Sequence, residues 1–364
     1  MTGRLAPLVA VACLVSAACE PPFFSGRGSG TEVVPAPASP TAPTPATPVF
    51  TFTGRVTTTQ GGAPVSGATV AVDGASATSG GDGAFSVAIG AASAAAVTVR
   101  APGFLTRTTT LAGGQSRSGG TIDLIATEPS FDLDFFDRLA RGKDQPEFPG
   151  HVLRWPTNPR FYVITRVTSF QDGAWRSTAQ EVPTAVLNRI ERLLPGLVGA
   201  ATGGRLQAAE LQFRPDARET FESGWIQVEV ADRPSGGATD ECGFGGLDIA
   251  FAGNGFTNEV RRTGFMRMYL TDNCRCANDV PSNIILAHEL GHALGFAHTH
   301  PHRDSVLSYQ TSVACSTPNF SPRDQYHGAL AYARPVGNAS PDTDPDGFQL
   351  LRFSRARNVH FAVP

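Results

Sequence analysis

The chain has 364 residues, a formal net charge of −3 and a hydrophobic fraction of 41%. That length and apolar content are sufficient for two domains with packed cores. Lys143 is the only lysine, and no basic stripe is available to neutralise phosphate groups, so we expect no nucleic-acid partner.

The first 48 residues are typical of an export signal followed by a linker. Arg4 precedes an apolar stretch that is too short for a permanent membrane-spanning helix, so we expect residues 1–18 to be a signal peptide. The small residues before Cys19 resemble the lipobox of bacterial lipoproteins, which implies an exported protein with a lipid anchor at Cys19. The alternative is plain secretion after cleavage near Ala18. We expect residues 19–48 to be a linker: from Pro35 to Pro48 proline alternates with alanine, serine and threonine, which favours an extended, semi-rigid spacer.

Short alternating runs separated by glycine-rich turns predict a small antiparallel all-β sandwich over residues 49–127. Four stretches carry a family resemblance: G-R-V-T, A-P-V-S-G-A-T-V-A-V, D-G-A-F-S-V and V-T-V-R-A-P-G-F. They resemble the carboxypeptidase-regulatory-like (transthyretin-like) domains. The resemblance implies an accessory domain, and no catalytic residue is carried over with it.

Residues 128–337 predict a second domain, in which strands and helices mix in an α+β layout. Alternation and helical spacing predict a strand, a helix, two strands and a helix in chain order. These elements cover residues 160–168, 182–194, 225–230, 264–270 and 283–294. Ser282 is a suitable N-cap for the last of them.

Residues 338–364 form a C-terminal tail in this scheme. Spaced aspartates stand at Asp342, Asp344 and Asp346. We expect a solvated loop there, and a calcium site is the alternative.

Five residues between positions 288 and 298 form the strongest candidate site. His288 and His292 are four residues apart, so a helix places both imidazoles on one face, where they can bind one ion. Glu289 adjoins the first ligand and can hold a water molecule on that ion. Gly295 can adopt a left-handed conformation that ends the helix and brings in His298 as the third ligand. Three protein ligands leave a fourth position open, as in catalytic zinc sites.

The run H-E-L-G-H-A-L-G-F-A-H at residues 288–298 matches the signature H-E-x-x-H-x-x-G-x-x-H. The chain therefore resembles the metzincin zinc metallopeptidases from roughly residue 160 to residue 334. The resemblance implies a twisted mixed sheet with an active-site helix. It also implies a zinc cofactor (Zn2+) held by His288, His292 and His298, with Glu289 as the catalytic base.

Two later runs extend this resemblance. D-S-V-L-S-Y at residues 304–309 is similar to the serralysin pattern S-V-M-S-Y, with Leu307 where metzincins carry the methionine of their conserved turn. By resemblance, the hydroxyl of Tyr309 assists the developing oxyanion; simple packing in the core is the alternative. S-P-R-D resembles the start of the last matrixin helix, with Ser321 as cap and Pro322 as first helical residue.

These features predict a zinc-dependent endopeptidase that acts on protein or peptide substrates. Glu289 would take a proton from the attacking water and deliver it to the leaving amine. The strand at residues 264–270 corresponds to the metzincin edge strand, where substrate would add by main-chain hydrogen bonds. We expect a monomer, with membrane contact only through a lipid at Cys19.

Two other functions fit the same sequence. One is a non-catalytic surface adhesion or binding protein, which the β-sandwich and the predicted lipid anchor would suit. In that case Leu307, in place of the metzincin methionine, would reflect a loss of catalysis. A zinc hydrolase acting on a non-peptide bond would use the same histidines and the same glutamate.

Four cysteines lie beyond the signal region: Cys242, Cys274, Cys276 and Cys315. An even number in an exported protein predicts two disulfides. A bridge between Cys274 and Cys276 would close a strained ring, so we expect each of them to pair with Cys242 or Cys315. Zinc ligation by Cys274 and Cys276 is the alternative.

Overall fold

The computed structural model describes residues 50–90, 95–111, 117–127, 129–217, 222–233, 241–251, 259–270, 281–311, 313, 319–345 and 361–362. The predicted signal peptide, the anchor at Cys19 and the linker lie outside these residues, as do Cys274, Cys276 and Cys315. Cys242 is disulfide-bonded. No helix in the described part of the chain is long and apolar enough to cross a membrane.

Two sheets enclose one apolar core in the N-terminal lobe, which we define as residues 50–127. Its strands are β1 (Phe50–Thr58), β2 (Thr69–Val72), β3 (Ala75–Thr78), β4 (Ala84–Ile89), β5 (Ala95–Arg100), β6 (Arg107–Leu111) and β7 (Arg117–Leu124). The sheet orders are β4–β1–β7 and β3–β2–β5–β6. Along β4 the exposed and buried residues alternate, which places Phe85, Val87 and Ile89 in the core.

The purely antiparallel arrangement expected for this lobe is wrong in one place. β7 pairs with β1 in a parallel register, with Val56 opposite Ile122. The chain reaches β7 from β6, which belongs to the other sheet, and such a crossover allows a parallel pairing that a tight hairpin does not.

The remaining elements form the C-terminal lobe, residues 129–362. In chain order they are α1 (Leu133–Arg141), β8 (Arg160–Ile164), β9 (Arg166–Gln171), β10 (Ala174–Glu181), α2 (Thr184–Thr202), β11 (Glu210–Arg214), β12 (Trp225–Ala231), β13 (Gly243–Phe251), β14 (Glu259–Tyr269), α3 (Asn283–Ala293), α4 (Pro322–Tyr332) and β15 (Phe361–Ala362). The protein is therefore of the α+β class, with more sheet than helix.

One mixed sheet runs through the C-terminal lobe in the order β10–β9–β12–β14–β13–β15, and β8 pairs with both β11 and β12. β14 lies between β12, to which it is parallel, and β13, to which it is antiparallel. The prediction that residues 264–270 form an edge strand is therefore wrong. Met266 and Met268 are buried in the core and Arg267 is buried on the opposite face, as an interior strand requires.

α3 packs against β13 and β14, and α2 packs against α3 and α4. α2 continues beyond the predicted end at residue 194 and passes through Pro195 to Thr202. Leu197, Val198 and Ala201 are buried in the core, so tertiary packing outweighs the hydrogen bond that proline removes.

A buried ionic network joins the two lobes. Arg334 follows α4 and is fully buried, and its guanidinium donates to both carboxylate oxygens of Asp342 at 2.7 and 2.8 Å. It also donates to Asp123 on β7 at 2.6 Å. Arg107 on β6 pairs with Asp123 and, at 2.8 Å, with Asp344. The solvated loop expected at Asp342 and Asp344 is therefore wrong, because arginines occupy the place that solvent or a calcium ion would take.

Asp123 shows the strength of this network. Burial acts to raise the pKa of its carboxyl, but the charges of Arg334 and Arg107 outweigh burial and lower the pKa to about 2. The carboxylate therefore stays ionised, and stabilises the fold, at any pH above its ordinary value near 3.8.

Arg334→Met is expected to lower the free energy of unfolding by about 3–5 kcal/mol, because it leaves buried Asp342 without its cationic partner. Urea unfolding monitored by circular dichroism gives this value. Arg55→Met is the matched control: it breaks a pair whose side chains are 60% and 59% exposed, and a change below about 1 kcal/mol is expected. Equal losses in the two variants would contradict the role of Arg334.

Candidate metal centre

The helix that carries the first two histidines is fixed at both ends. At its start, the hydroxyl of Ser282 accepts from the backbone N–H of Ile285, which confirms the predicted N-cap. At its end, the side chains of Trp155 and Tyr332 each donate to a terminal carbonyl, those of Ala293 and Leu294, both at 2.8 Å. The helix can therefore be buried along its whole length without leaving these polar groups unpaired.

Gly295 turns the chain after α3, as the sequence predicts. Its φ is +99°, a region that favours glycine. A Cβ at this position would stand 2.3 Å from the carbonyl oxygen of Leu153, so a side chain is excluded by space as well. The turn directs the next three residues back toward the helix and places His298 beside His288 and His292.

The three predicted ligands converge in the structure. The Nε2 atom of His288 lies 2.9 Å from that of His292 and 3.3 Å from that of His298. All three side chains are buried, with exposed fractions of 1–2%. Within the described residues they form a group whose candidate ligand atoms all lie within 4.8 Å of one another.

Hydrogen bonds to the outer ring nitrogens set the tautomers of two of these histidines. Nδ1 of His288 donates to the carbonyl of Val306 at 2.6 Å, and Nδ1 of His292 donates to the carbonyl of Phe296 at 2.8 Å. In a neutral ring the remaining Nε2 then carries a lone pair. The two lone pairs face each other, an arrangement that repels unless a cation lies between them.

Burial keeps these imidazoles neutral. It lowers the pKa of His288 to about 4, and it lowers the pKa of His292 well below the usual value, with a further contribution from His288. Burial also lowers the pKa of His298, and the two neighbouring imidazoles add to the effect. Neutral imidazoles are the form that binds metals, so this pocket presents ready ligands at neutral pH.

Glu289 lies beside the triad with its side chain fully buried. In the described part of the chain neither of its carboxylate oxygens has a hydrogen-bond partner. Burial, followed by repulsion from Glu241, raises the pKa of the Glu289 carboxyl well above its usual range. An unsatisfied buried carboxylate is costly for stability, which is typical of a group kept for chemistry.

Glycines on β13 allow this carboxylate to lie directly against the sheet. A Cβ at Gly243 would stand 2.2 Å from a carboxylate oxygen of Glu289, and one at Gly245 would stand 2.6 Å from the Glu289 carbonyl. A side chain at either position would push α3 away from β13. Because the G-F-G-G run lacks side chains at these two positions, α3 can lie close to β13, and this close packing sets the position of Glu289.

The turn at residues 304–309 lies beneath the triad. Leu307 is fully buried, and its side chain packs against Gly291 on α3, where an added Cβ would come within 2.6 Å of it. The backbone of the same turn supplies the carbonyl of Val306 that binds His288, and its Leu307 carbonyl accepts from Thr299 at 3.0 Å. Leu307 thus packs beneath the part of α3 that carries His288 and His292.

Asp324 fixes this turn, a role that the sequence did not reveal. Its carboxylate accepts from the hydroxyl of Ser305 and from the backbone N–H of Val306 at 3.0 Å. It also closes the capping box of α4 with Ser321, which confirms Ser321 as the cap and Pro322 as the first helical residue. S-P-R-D predicts the helix start, but no sequence signal connects Asp324 with Ser305.

Tyr309 stacks on His298, the third predicted ligand. Its ring centroid lies 3.8 Å from that of His298, and the side chain is half-buried. Burial, followed by the charge of Glu147, raises the pKa of its phenol, so the hydroxyl stays protonated and able to donate at neutral pH. The structure therefore brings Tyr309 and Glu289 together with the three predicted ligands.

The donor set fits a tetrahedral cation. Three imidazole nitrogens bound to zinc at about 2.0–2.1 Å lie about 3.3 Å apart, close to the separations observed here. Imidazole ligands also suit copper, iron and nickel, so the geometry alone selects no single metal.

Comparisons with known proteins add no functional information. No protein-family model matches the chain, and no curated protein matches it. An interface mutant of a type II cohesin–X-dockerin complex from Acetivibrio cellulolyticus is 24% identical over 22% of this chain and 61% of that chain, with a TM-score of 0.20. A DUF3823 family protein from Parabacteroides merdae is 19% identical over 24% of this chain and 49% of that chain, with a TM-score of 0.18. Likenesses this weak carry no argument.

His292→Ala is expected to abolish high-affinity metal binding, because it removes one of three ligands. The loss should exceed the roughly 10–100-fold typical of changes outside the ligand set. Metal analysis after dialysis and competition with a chromophoric chelator measure it. His300→Ala, an exposed histidine two residues beyond the triad, is the control and should bind metal as the unaltered protein does. Full metal content in His292→Ala would rule out this centre.

Proposed function

We propose that this protein is a zinc-dependent endopeptidase of the metzincin type that hydrolyses peptide bonds in protein substrates. One observation supports this above the others: three buried neutral imidazoles converge beside a buried carboxylate that has no partner among the described residues. A protein that only bound other surfaces would gain nothing from such a costly arrangement.

Zinc, when bound by His288, His292 and His298, supplies a Lewis acid that polarises a scissile carbonyl and makes a water molecule more acidic. The protein contributes the shape of the site. α3 and the Gly295 turn set the ligand spacing, and the Val306 and Phe296 carbonyls orient two of the rings. The low exposure of the ligands excludes bulk water.

Glu289 is the proposed general base. Its carboxylate takes a proton from the attacking water and later returns that proton to the leaving amine. Its surroundings suit this role, because no described residue competes for the carboxylate oxygens, which are therefore available to accept the proton of a water molecule. β13 limits the freedom of the side chain, so the carboxylate meets the water in one orientation.

Tyr309 is the proposed oxyanion donor. Its phenol remains protonated at neutral pH, and its ring stacks on His298 at the rim of the triad. From there the hydroxyl can donate a hydrogen bond to the oxygen that gains charge as water attacks. Leu307 takes no part in this chemistry and packs under α3.

Export and a lipid anchor at Cys19 complete the proposal. They place the peptidase at the cell surface, where it would meet protein substrates. Both stay predictions from the sequence.

Glu289→Gln is expected to retain metal and to lower peptidase activity by about 10²- to 10⁴-fold, because the variant keeps the shape but loses the base. Cleavage of denatured casein measures activity, and a chelator should abolish it in the unaltered protein. Glu191→Gln, at an exposed position on α2, is the control and should be fully active. A fully active Glu289→Gln variant would refute the mechanism, and no cleavage by the unaltered metal-loaded protein would refute the function.

Tyr309→Phe is expected to lower kcat by about 10²-fold or more and to leave KM nearly unchanged, because it removes a donor used only in the transition state. Steady-state kinetics on a quenched fluorescent peptide separate the two constants. Leu307→Met, two residues away, should be nearly neutral because its volume is conserved. If Tyr309→Phe were fully active, the tyrosine would be a packing residue, and a large gain in metal affinity for Leu307→Met would indicate a weakened site.

A further inference from the structure

The third ligand differs from the other two in how it is held. His288 and His292 lie on α3, whose backbone fixes both Cα positions. His298 lies beyond the helix, in a segment without regular secondary structure. Its position therefore depends on what binds the backbone of residues 296–300.

Most of that binding comes from the segment of residues 138–148, which we call the α1 clamp. The carbonyl of Leu139 accepts from the backbone N–H of Ala297 at 2.8 Å. The guanidinium of Arg138 donates to the carbonyl of His300 at 3.0 Å. These two contacts hold Ala297 and His300, which lie before and after His298 in the chain. Neither of them involves His298 itself.

Gln145 is the third member of the clamp. Its side-chain Nε2 donates to the carbonyl of His298 at 2.8 Å, and its Oε1 accepts from the backbone N–H of His298 at 3.0 Å. One amide group thus pairs with both backbone groups of a single residue, as a neighbouring strand would. Two such bonds fix the rotation of the His298 backbone, and so the direction in which its imidazole points.

The position of Gln145 is itself well defined. Gly142, with φ +65°, caps the end of α1, and the backbone N–H of Gln145 donates to the Gly142 carbonyl at 2.9 Å. The Gln145 carbonyl accepts from Phe148 at 3.0 Å, and buried Phe148 packs against Ala297. The turn and the ligand segment therefore share a small apolar cluster that brings the amide to His298.

We propose that Gln145 is a positioning residue for the metal centre, which holds His298 in its ligand orientation and thereby sets metal affinity. This inference rests on the proposed metal centre. Only glutamine combines the reach of this side chain with one donor and one acceptor in a single planar group. Methionine has the same reach and neither hydrogen bond, and glutamate keeps the acceptor but loses the donor.

Cobalt(II) is a suitable probe, because its visible absorption reports the ligand geometry and its affinity can be measured by chelator competition. Gln145→Met is expected to bind cobalt about 10–100-fold more weakly than the unaltered protein, with a changed absorption band. The measurement is made well below the Tm of either protein, so that both are folded. Gln207→Met, at an exposed position, is the matched control and should retain the affinity and spectrum.

Three outcomes are decisive. Weaker binding with an altered spectrum in folded Gln145→Met would support the inference. Unchanged affinity and spectrum, with a lower Tm alone, would overturn it and leave Gln145 as a residue that only stabilises the fold. Absence of cobalt binding in the unaltered protein would overturn the metal centre first, and the inference with it. If Gln145→Met does not fold, Gln145→Glu tests the same point, with at least tenfold weaker binding expected.

Discussion

The structure depends on one unfavourable arrangement, which is the burial of three imidazole nitrogens within 4.8 Å of one another beside a carboxylate. An apolar core does not favour polar side chains, and each of these nitrogen and oxygen atoms loses its hydration when it is buried there. The surrounding elements supply the compensation. Two imidazoles donate to backbone carbonyls, and the third is held through its own backbone. The histidines remain neutral because the core that holds them also disfavours charge.

Three separate parts of the chain hold the site from different sides. The G-F-G-G run of β13 allows α3 to lie against the sheet, and the Leu307 turn supports the helix from below. The α1 clamp holds the segment that carries His298. These parts are far apart in sequence, so the geometry of the site is a property of the folded lobe as a whole. The short run of residues 288–298 supplies the candidate donor atoms, and the rest of the lobe sets the directions in which they point.

The sequence predicted what local rules govern and missed what long-range packing decides. The N-caps at Ser282 and Ser321 and the left-handed Gly295 follow from local backbone chemistry, and the structure has all three. The mixed α+β class followed from periodicity. The edge assignment for residues 264–270 failed because alternation does not say which strands lie on either side. The sequence did not predict roles for Gln145 and Asp324. Each binds a residue that is distant in sequence and becomes a neighbour only in the folded chain.

The ionic network around Arg334 has a consequence for how the molecule can be divided. A β-sandwich joined to a second domain only by a linker could be removed or exchanged without disturbing that domain. Here Asp123 of the sandwich is a counter-ion for an arginine that has no exposed surface of its own. A cut near residue 128 would leave that arginine facing water across a former interface, with half of its carboxylate partners removed. The two lobes should therefore be inherited, expressed and engineered as one piece.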